Sequence, residues 1–363
     1  MALTARAAHS AADMRRISTP IGCADVDPLD RQLIHALHVD GRAPFSQIAE
    51  VLDVSDQTIA RRYRRLRQVG ALRVLGRLDP CRIGHVEWVI RLQCTPGASA
   101  RVAEALARRD DTYWVRLASG GTEVVCNVRA ANDHERDALL LDKLPATRPV
   151  TAISAHCVLH TFWGGPTGWK GVTSYLTDHQ IAQLAPPATA PDRLLAPIEL
   201  DDGDRVLLTE LARDGRITHT ELAAATGWHE ATIRRRIASL RASKALYFDI
   251  DVDDRLLGYT GTALLWISVQ PDRLAAVGKS LAQHPEVSFV AATSGPTNLL
   301  GSVLCPDVYA LYDYIADRVG PLAGVREIET TPILRTVKRV GAVNLEPPRV
   351  SRRLRNLERL DGR

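Results

Sequence analysis

The sequence predicts an α+β chain arranged as a tandem repeat, each half joining a helix-turn-helix unit of winged-helix type to a ferredoxin-like αβ sandwich. Three observations carry this. The first is an internal duplication. Asp30 matches Asp204, Leu37 matches Leu211, Asp40-Gly41-Arg42 matches Asp214-Gly215-Arg216 and Thr58-Ile59 matches Thr232-Ile233, all at an offset of 174 residues. Farther on, Ser119-Gly120 matches Ser294-Gly295 and Leu159 matches Leu334 at an offset of 175, so one inserted residue separates the halves. Self-similarity at a fixed period of that length marks a duplicated unit of roughly 150 residues. The second observation is a helix, a tight turn and an arginine-rich helix at the start of each half. The third is the order strand, helix, strand, strand, helix, strand that follows each of them.

Composition bounds the class. A chain of 363 residues that is 45% hydrophobic and 24% charged is ordinary globular material, long enough for two to four domains. The net charge of +4 is only mildly basic, so any nucleic-acid footprint is local. Cys23, Cys81, Cys94, Cys126, Cys157 and Cys305 show no paired metal spacing, and several sit in apolar runs. They read as reduced core residues of a cytoplasmic protein, with no metal and no other cofactor expected. No stretch approaches the ~20 apolar residues of a membrane span. Residues 1–25 are rich in Ala and basic residues without a continuous apolar core, and read as a disordered lead-in, not a secretion signal.

The first helix-turn-helix unit, 26–80, opens with a helix over 28–39 that places Leu29, Leu33, Ile34 and Leu37 on one face; Gly41 stops it. Helices over 45–52 and 55–69 follow, with Ser55 suited to cap the second and Gly70 to end it. Ile48, Ile59, Tyr63 and Leu66 fall at helical spacing, Ala49 permits close helix crossing, and Val54 tucks the turn beneath. Arg61, Arg62, Arg64, Arg65 and Arg67 crowd the second helix. Only five of the 46 basic residues are lysine, so an arginine run alone reads equally as a solvated face. Its recurrence in the copy favours the pattern of a DNA reader whose second helix enters the major groove. A short strand over 73–78 leaves the head.

From His85 the period changes. Strands over 87–93, 112–117, 123–129 and 150–159 alternate with helices over 98–109 and 133–144, giving a four-stranded sandwich over 81–163. Its helices cover one face of the sheet, so the other face needs a partner. The same chain supplies one: 262–269, 272–284, 287–292, 298–304, 308–319 and 325–334 repeat the order within 256–345, behind a second head at 201–255. A linker spans 164–200, with Pro186, Pro187, Pro191 and Pro197 in its second part and a helical pattern over 174–184 expected to pack on the first sandwich. The Arg-rich 346–363 forms a C-terminal tail.

The segments LDRQLIHALHVDGRAPFSQIAEVLDVSDQTIARRYRRLRQVGAL and DGDRVLLTELARDGRITHTELAAATGWHEATIRRRIASLRASKAL, each followed by such a sandwich, resemble the leucine-responsive/asparagine-regulatory (Lrp/AsnC) transcription factors in a tandem form. The resemblance covers nearly the whole chain twice. It implies a homo-oligomeric, non-enzymatic regulator that binds double-stranded operator DNA and is modulated by a small molecule such as an amino acid. In that family a glycine loop between the second and third sandwich strands helps form the small-molecule site. Here Ser119-Gly120-Gly121-Thr122 and Ser294-Gly295-Pro296-Thr297 occupy that position, followed by Glu123 and Asn298 in place of the family's aromatic-Asp pattern. The same architecture serves sirohaem decarboxylases. Those enzymes carry a His/Tyr/Arg-rich segment near these strands, whereas 112–128 and 287–303 contain no His, and no catalytic constellation with motif spacing occurs elsewhere.

The candidate DNA contacts are Ser55, Gln57, Thr58, Arg61 and Arg62 toward bases or adjacent phosphates, with Arg65 on phosphate, because Ile59, Tyr63 and Leu66 take the buried face. In the copy they are Thr232, Arg235 and Arg236. Four carboxylates in Asp249-Ile250-Asp251-Val252-Asp253-Asp254 would repel phosphate, so the second head is expected to bind less strongly unless that strand turns away. The candidate effector contacts are Ser119, Gly120, Gly121, Thr122 and Glu123 in the first loop and Ser294, Gly295, Thr297 and Asn298 in the second, with Glu123 suited to an ammonium group. A glycine pair between two strands is also the composition of a plain hairpin turn.

Overall fold

The computed structural model describes residues 26–165, 175–186 and 197–340. The expected lead-in, the C-terminal tail, much of the linker and Cys23 lie outside the described residues.

The first head comprises α1 (Pro28–Val39), α2 (Phe45–Val51) and α3 (Asp56–Gln68). A reciprocal cap starts α1: the Asp27 carboxylate accepts from the Asp30 N–H at 2.9 Å, and the Asp30 carboxylate accepts from the Asp27 N–H at 3.1 Å. Leu33, Ile34, Leu37, Ile48, Ile59 and Leu66 close the core between the helices. The turn before α3 passes through Asp53 at φ 54°, a left-handed conformation that Asp tolerates, and Val54 packs on the core beneath it. The second head repeats this plan. Its helices are labelled with the rest of the chain: β1 (Leu72–Leu78), β2 (Val86–Cys94), α4 (Ser99–Ala107), β3 (Thr112–Ala118), β4 (Glu123–Ala130), α5 (Asp133–Asp137), β5 (Val150–Trp163), α6 (Asp178–Leu184), then α7 (Asp202–Arg213), α8 (His219–Thr226) and α9 (Glu230–Ala242). Asp201 and Asp204 cap α7 as Asp27 and Asp30 cap α1.

The heads are joined to each other. β1 pairs antiparallel with β6 (Leu246–Val252), each the strand that leaves its own head. Arg42 donates to the Gly215 and Ile217 carbonyls at 2.9 and 3.2 Å, and Arg216 donates to the Gly41 and Ala43 carbonyls at 2.7 and 3.0 Å. The exchange continues in the ion pairs Arg67–Asp214 at 2.7 Å and Arg241–Asp40 at 3.1 Å. Every member of this set has its partner one repeat away, so the heads face each other across a quasi-twofold axis. Close approach requires Gly41 and Gly215: an added Cβ on Gly41 would lie 2.8 Å from Val74 Cγ1, and one on Gly215 3.0 Å from the Leu75 backbone.

The remaining elements are β7 (Gly261–Val269), α10 (Leu274–Leu281), β8 (Val287–Thr293), β9 (Leu299–Cys305), α11 (Val308–Asp313) and β10 (Val325–Lys338). α5 and α11 each continue into a π turn, Ala138–Lys143 and Tyr314–Val319. The sheets run β3-β4-β2-β5 and β8-β9-β7-β10, and pairing of β5 with β8 and of β10 with β3 closes them into an eight-stranded barrel. This explains why β5 and β10 outrun the expected ends at 159 and 334: their last residues serve the other sheet. Val89, Val125, Leu264, Trp266 and Leu300 fill the space between the two sheets, which is the partnered face that the sandwich order required.

The linker corrects one expectation. Its helix, α6, packs on the first head and not on the first sandwich. Leu176 and Leu184 join the head core, the Leu176 N–H donates to His35 Nδ1 at 3.1 Å, and Gln180 donates to the Val51 carbonyl at 3.0 Å. Apolar packing on the α1–α2 core and the Val51 carbonyl at the end of α2 hold it there.

Candidate nucleic-acid interface and ligand sites

α3 begins at Ser55, whose Oγ accepts from the Thr58 N–H at 3.2 Å. Ile59, Tyr63 and Leu66 are buried, so Gln57, Arg61, Arg64 and Arg65 project outward. Arg61 is exposed, with no hydrogen-bond or ion-pair partner among the described residues. Arg62 departs from the expected base-reading role. It pairs with Asp27 and, at 3.0 Å, with Asp30, whose side chain is 0% exposed, and Arg65 pairs with the same Asp30. In α9 the corresponding Arg236 pairs with Asp204, also 0% exposed, while Thr232 is half-buried and Arg234 and Arg235 are exposed. The physical reason is the reciprocal cap. It buries a carboxylate beneath the recognition helix, and the nearest arginine must neutralise it. Arg62 and Arg236 are thereby held in ion pairs, and the exposed side chains are Gln57, Arg61, Arg64 and Arg65 on one helix and Arg234 and Arg235 on the other, with Thr58 and Thr232 half-buried.

The two helix starts differ. His229 caps α9 without a side-chain hydrogen bond, and Glu230 accepts from Thr220 at 2.7 Å. Glu230 corresponds to Asp56, so a carboxylate stands at the start of each recognition helix and the difference lies in the cap, Ser55 in one and His229 in the other. The expected cause of a weaker second head, the Asp249–Asp254 run, needs correction: β6 pairs with β1 and carries these acids toward the barrel, where Arg339 lies 3.2 Å from Asp253 and 4.0 Å from Asp251.

The carboxylates make opposite contributions to stability. Burial alone would raise the Asp204 carboxyl, but the Arg236 ion pair and the Asp201 amide outweigh it and hold it below the ordinary 3.8. Asp27 is held down in the same way by Arg62 and backbone amides. Stability from these groups is present above the unfolded value and lost as pH falls through the lower folded one. Burial pushes Asp249 and Asp254 up to about 6, so their contribution has the other sign: the folded state gains as pH falls from 7 toward 5. Thermal melts across pH 3–7 should rise from 7 to about 5 and drop below about 4. A monotonic decline from pH 7 would contradict the environment of Asp249 and Asp254.

The glycine loops are unequal. In the first, Ser119, Gly120 and Gly121 follow one another at φ 50°, 68° and 87°, and a Cβ on either glycine would meet nothing within 4 Å. Glu123 is not available for an ammonium group. It is 0% exposed, accepts from Arg91 Nε at 2.6 Å and from Ser119 Oγ at 2.5 Å, and Arg91 in turn pairs with Glu329. The Thr122 hydroxyl donates to the Ser119 carbonyl at 3.0 Å. In the second loop, Asn298 bonds the Val269 N–H and carbonyl at 2.9 Å each, and Ser294 Oγ accepts from the Cys157 N–H at 2.8 Å. Both side chains are spent on holding strands together. Thr297 accepts from Thr293 Oγ1 through its carbonyl at 3.1 Å. A Cβ on Gly295 would lie 2.6 Å from His156 Nδ1, which is itself 2.8 Å from the Ser294 carbonyl. The second loop is sealed by His156; the first is open at its glycines alone.

Sequence reasoning missed the Arg42–Arg216 exchange and a cleft between β6 and the barrel. The repeated Asp-Gly-Arg tripeptide was visible in both halves, but nothing local says that each arginine reaches the other copy. Among the described residues no group of three or more His, Cys, Asp or Glu side chains is placed to hold a metal ion, and no helix is long and apolar enough to cross a membrane. Cys94, Cys126 and Cys305 are buried thiols, as expected, whereas Cys81 is exposed.

Two quasi-twofold helix-turn-helix heads carried on a closed pair of αβ sandwiches define a tandem member of a two-domain regulator class. The description of the AsnC-type helix-turn-helix domain matches residues 26–67 and again 200–241, and that of the Lrp/AsnC ligand binding domain matches residues 262–343. The chain is 30% identical over 140 residues to the HTH-type transcriptional regulator FL11 of Pyrococcus furiosus, covering 38% of this chain and 92% of that protein. It is 29% identical over 142 residues to FL11 of Pyrococcus horikoshii, covering 39% of this chain and 93% of that protein. The chain belongs to the Lrp/AsnC family, and a relative of full length corresponds to one of its halves. The siroheme decarboxylase NirDL has the same fold over 92% of this chain and 100% of its own, with a TM-score of 0.60 at 12% identity.

Proposed function

We propose that this chain is a sequence-specific DNA-binding regulator of transcription that presents two recognition helices per chain at a spacing set by the head pair, and that a small polar metabolite modulates it. The observation that supports this best is the outward face of α3, where Gln57, Thr58 and Arg61 stand clear of the buried Ile59, Tyr63 and Leu66 on a capped helix. Ser55 contributes through its cap, and Arg65 lies where a backbone phosphate would pass. A homo-oligomer in the cytoplasm is part of the same proposal: Tyr309 and Tyr312 on α11 are 79% and 71% exposed, and Leu159 and Leu334, one repeat apart, are 64% and 59% exposed. Enzymatic decarboxylation is the competing use of this fold. Its stretches 112–128 and 287–303 hold no histidine, which favours the regulator.

The test is selection of bound fragments from random duplex DNA by the purified full chain. Enrichment of one motif with two half-sites at fixed spacing is expected. Absence of any enriched sequence, together with a spectral shift on adding sirohaem, would transfer the chain to the enzyme class.

A further inference from the structure

The duplication allows the two recognition helices to be compared position by position, and the seating of each helix is kept. α3 and α9 bury the same three positions, Ile59, Tyr63 and Leu66 in one and Ile233, Ile237 and Leu240 in the other. Arg62 and Arg236, one repeat apart, neutralise Asp30 and Asp204 in the same way. The turn before each helix passes through a left-handed residue at the same place, Asp53 at φ 54° and Gly227 at φ 73°. Where the turn does change, the packing compensates: Trp228 replaces Val54 and Gly203 replaces Leu29, and the indole fills the space that a Cβ on Gly203 would need. The pairs Arg67–Asp214 and Arg241–Asp40 then hold the two helices symmetrically about the axis between the heads.

The outward faces are not kept. Exposed Gln57 becomes exposed Ala231, and the exposed pair Arg64 and Arg65 becomes Ala238 and Ser239. Ala60 becomes Arg234, which lies 3.8 Å from Glu230. Thr58 and Arg61 alone recur on this face, as Thr232 and Arg235. These changes alter what each helix can ask of a base pair. A glutamine amide accepts and donates at once, which matches the N6 and N7 atoms of adenine, whereas an alanine methyl offers only apolar contact, which suits the thymine methyl. The second half of α3 also carries two arginines where α9 has none, so the phosphates beside α3 are held more strongly. Identical helices related by a twofold axis read an inverted repeat, because the second half-site presents the same base edges in reverse order. Helices seated alike but faced differently call for two unlike half-sites.

We propose that the chain reads a non-palindromic duplex in one orientation, with Gln57 taking an adenine in the half-site under α3 and Ala231 taking a thymine methyl at the equivalent step under α9. The inference deepens the regulatory reading above and rests on it. Because the two heads belong to one chain, the order of the half-sites along the DNA fixes which half of the chain lies upstream. A symmetric pair of identical chains on an inverted repeat has no such polarity.

The test starts from the fragments that the full chain selects out of random duplex DNA. Two unlike half-sites are expected, and Gln57→Ala should erase the preference at one base pair of one of them, which marks that half-site as the one under α3. Duplexes carrying either half-site twice, as an inverted repeat at the native spacing, should bind the native chain about tenfold or more weakly than the selected sequence. Copying the face of α3 onto α9, by Ala231→Gln with Ala238→Arg and Ser239→Arg, should reverse this order, so that the duplex with two α3 half-sites binds best. All of the altered side chains are exposed, and thermal melts report whether each variant is folded. If the triple variant is not, Gln57→Ala and the three duplexes decide. Selection of an inverted repeat by the native chain, equal binding of the three duplexes, or an unaltered base preference in Gln57→Ala would overturn the proposal and leave the regulatory reading standing. Failure to enrich any sequence would sink that reading and this proposal with it.

Discussion

Replacing Arg42 and Arg216 together by alanine is expected to part the two heads and to weaken binding to a two-half-site operator by about a hundredfold, toward the affinity of one head. Each arginine donates twice to carbonyls of the opposite head, and the four acceptors belong to Gly41, Ala43, Gly215 and Ile217. Hydrogen bonds to a charged group contribute about 1.5–3 kcal/mol each, and their loss leaves these acceptors without donors at the interface. Arg216 also lies 4.2 Å from the centre of the Phe45 ring, which ties the exchange to the first head's core. The single variants should couple, because either one leaves the other exchange strained. Operators with altered half-site spacing provide the readout: the native chain discriminates among spacings and the double variant does not. Unchanged discrimination would show that the β1–β6 ribbon alone sets the separation.

A second contrast separates neighbours on one helix. Arg61→Ala should leave the fold intact, cost about 1–3 kcal/mol for a lost base contact and flatten the salt dependence if the contact is to phosphate. Arg62→Ala should instead destabilise the first head by about 2 kcal/mol. That is below the about 3–5 kcal/mol of a fully buried pair, because the Arg62 side chain keeps some solvent. Its partner Asp30 is 0% exposed against 22% for Arg62, so removing the arginine leaves a buried carboxylate with Arg65 alone to neutralise it. Denaturant unfolding and operator binding, measured on both variants, decide the matter. A stable Arg62→Ala protein with weakened DNA binding would return Arg62 to the DNA face.

Much of the architecture was legible because it is local. α1 coincides with the expected 28–39 since Pro28, the Asp27–Asp30 cap and the spacing of Leu33, Ile34 and Leu37 all lie within one segment. The recognition helix was legible for the same reason. What was misassigned involved a partner distant in sequence. Arg62 looked like Arg61 until Asp30 came beneath it, 32 residues away. Glu123 looked like a ligand group until Arg91 reached it from the neighbouring strand. The run 249–254 looked repulsive to DNA until pairing with β1 turned it inward.

By itself the sequence determined the duplication, the head-and-sandwich order and the buried face of each helix, since periodicity and caps depend on residues a few positions apart. Only the tertiary structure decided which arginines are taken up by ion pairs, where α6 docks, and that one half's junction is packed with Tyr113 and Arg129 while the other's is hollow at Ser288 and Leu304. Charge neutralisation and cavity filling are satisfied by whichever groups the fold brings together. Their outcome is set by contacts between strands and helices a full repeat apart, which no local pattern records.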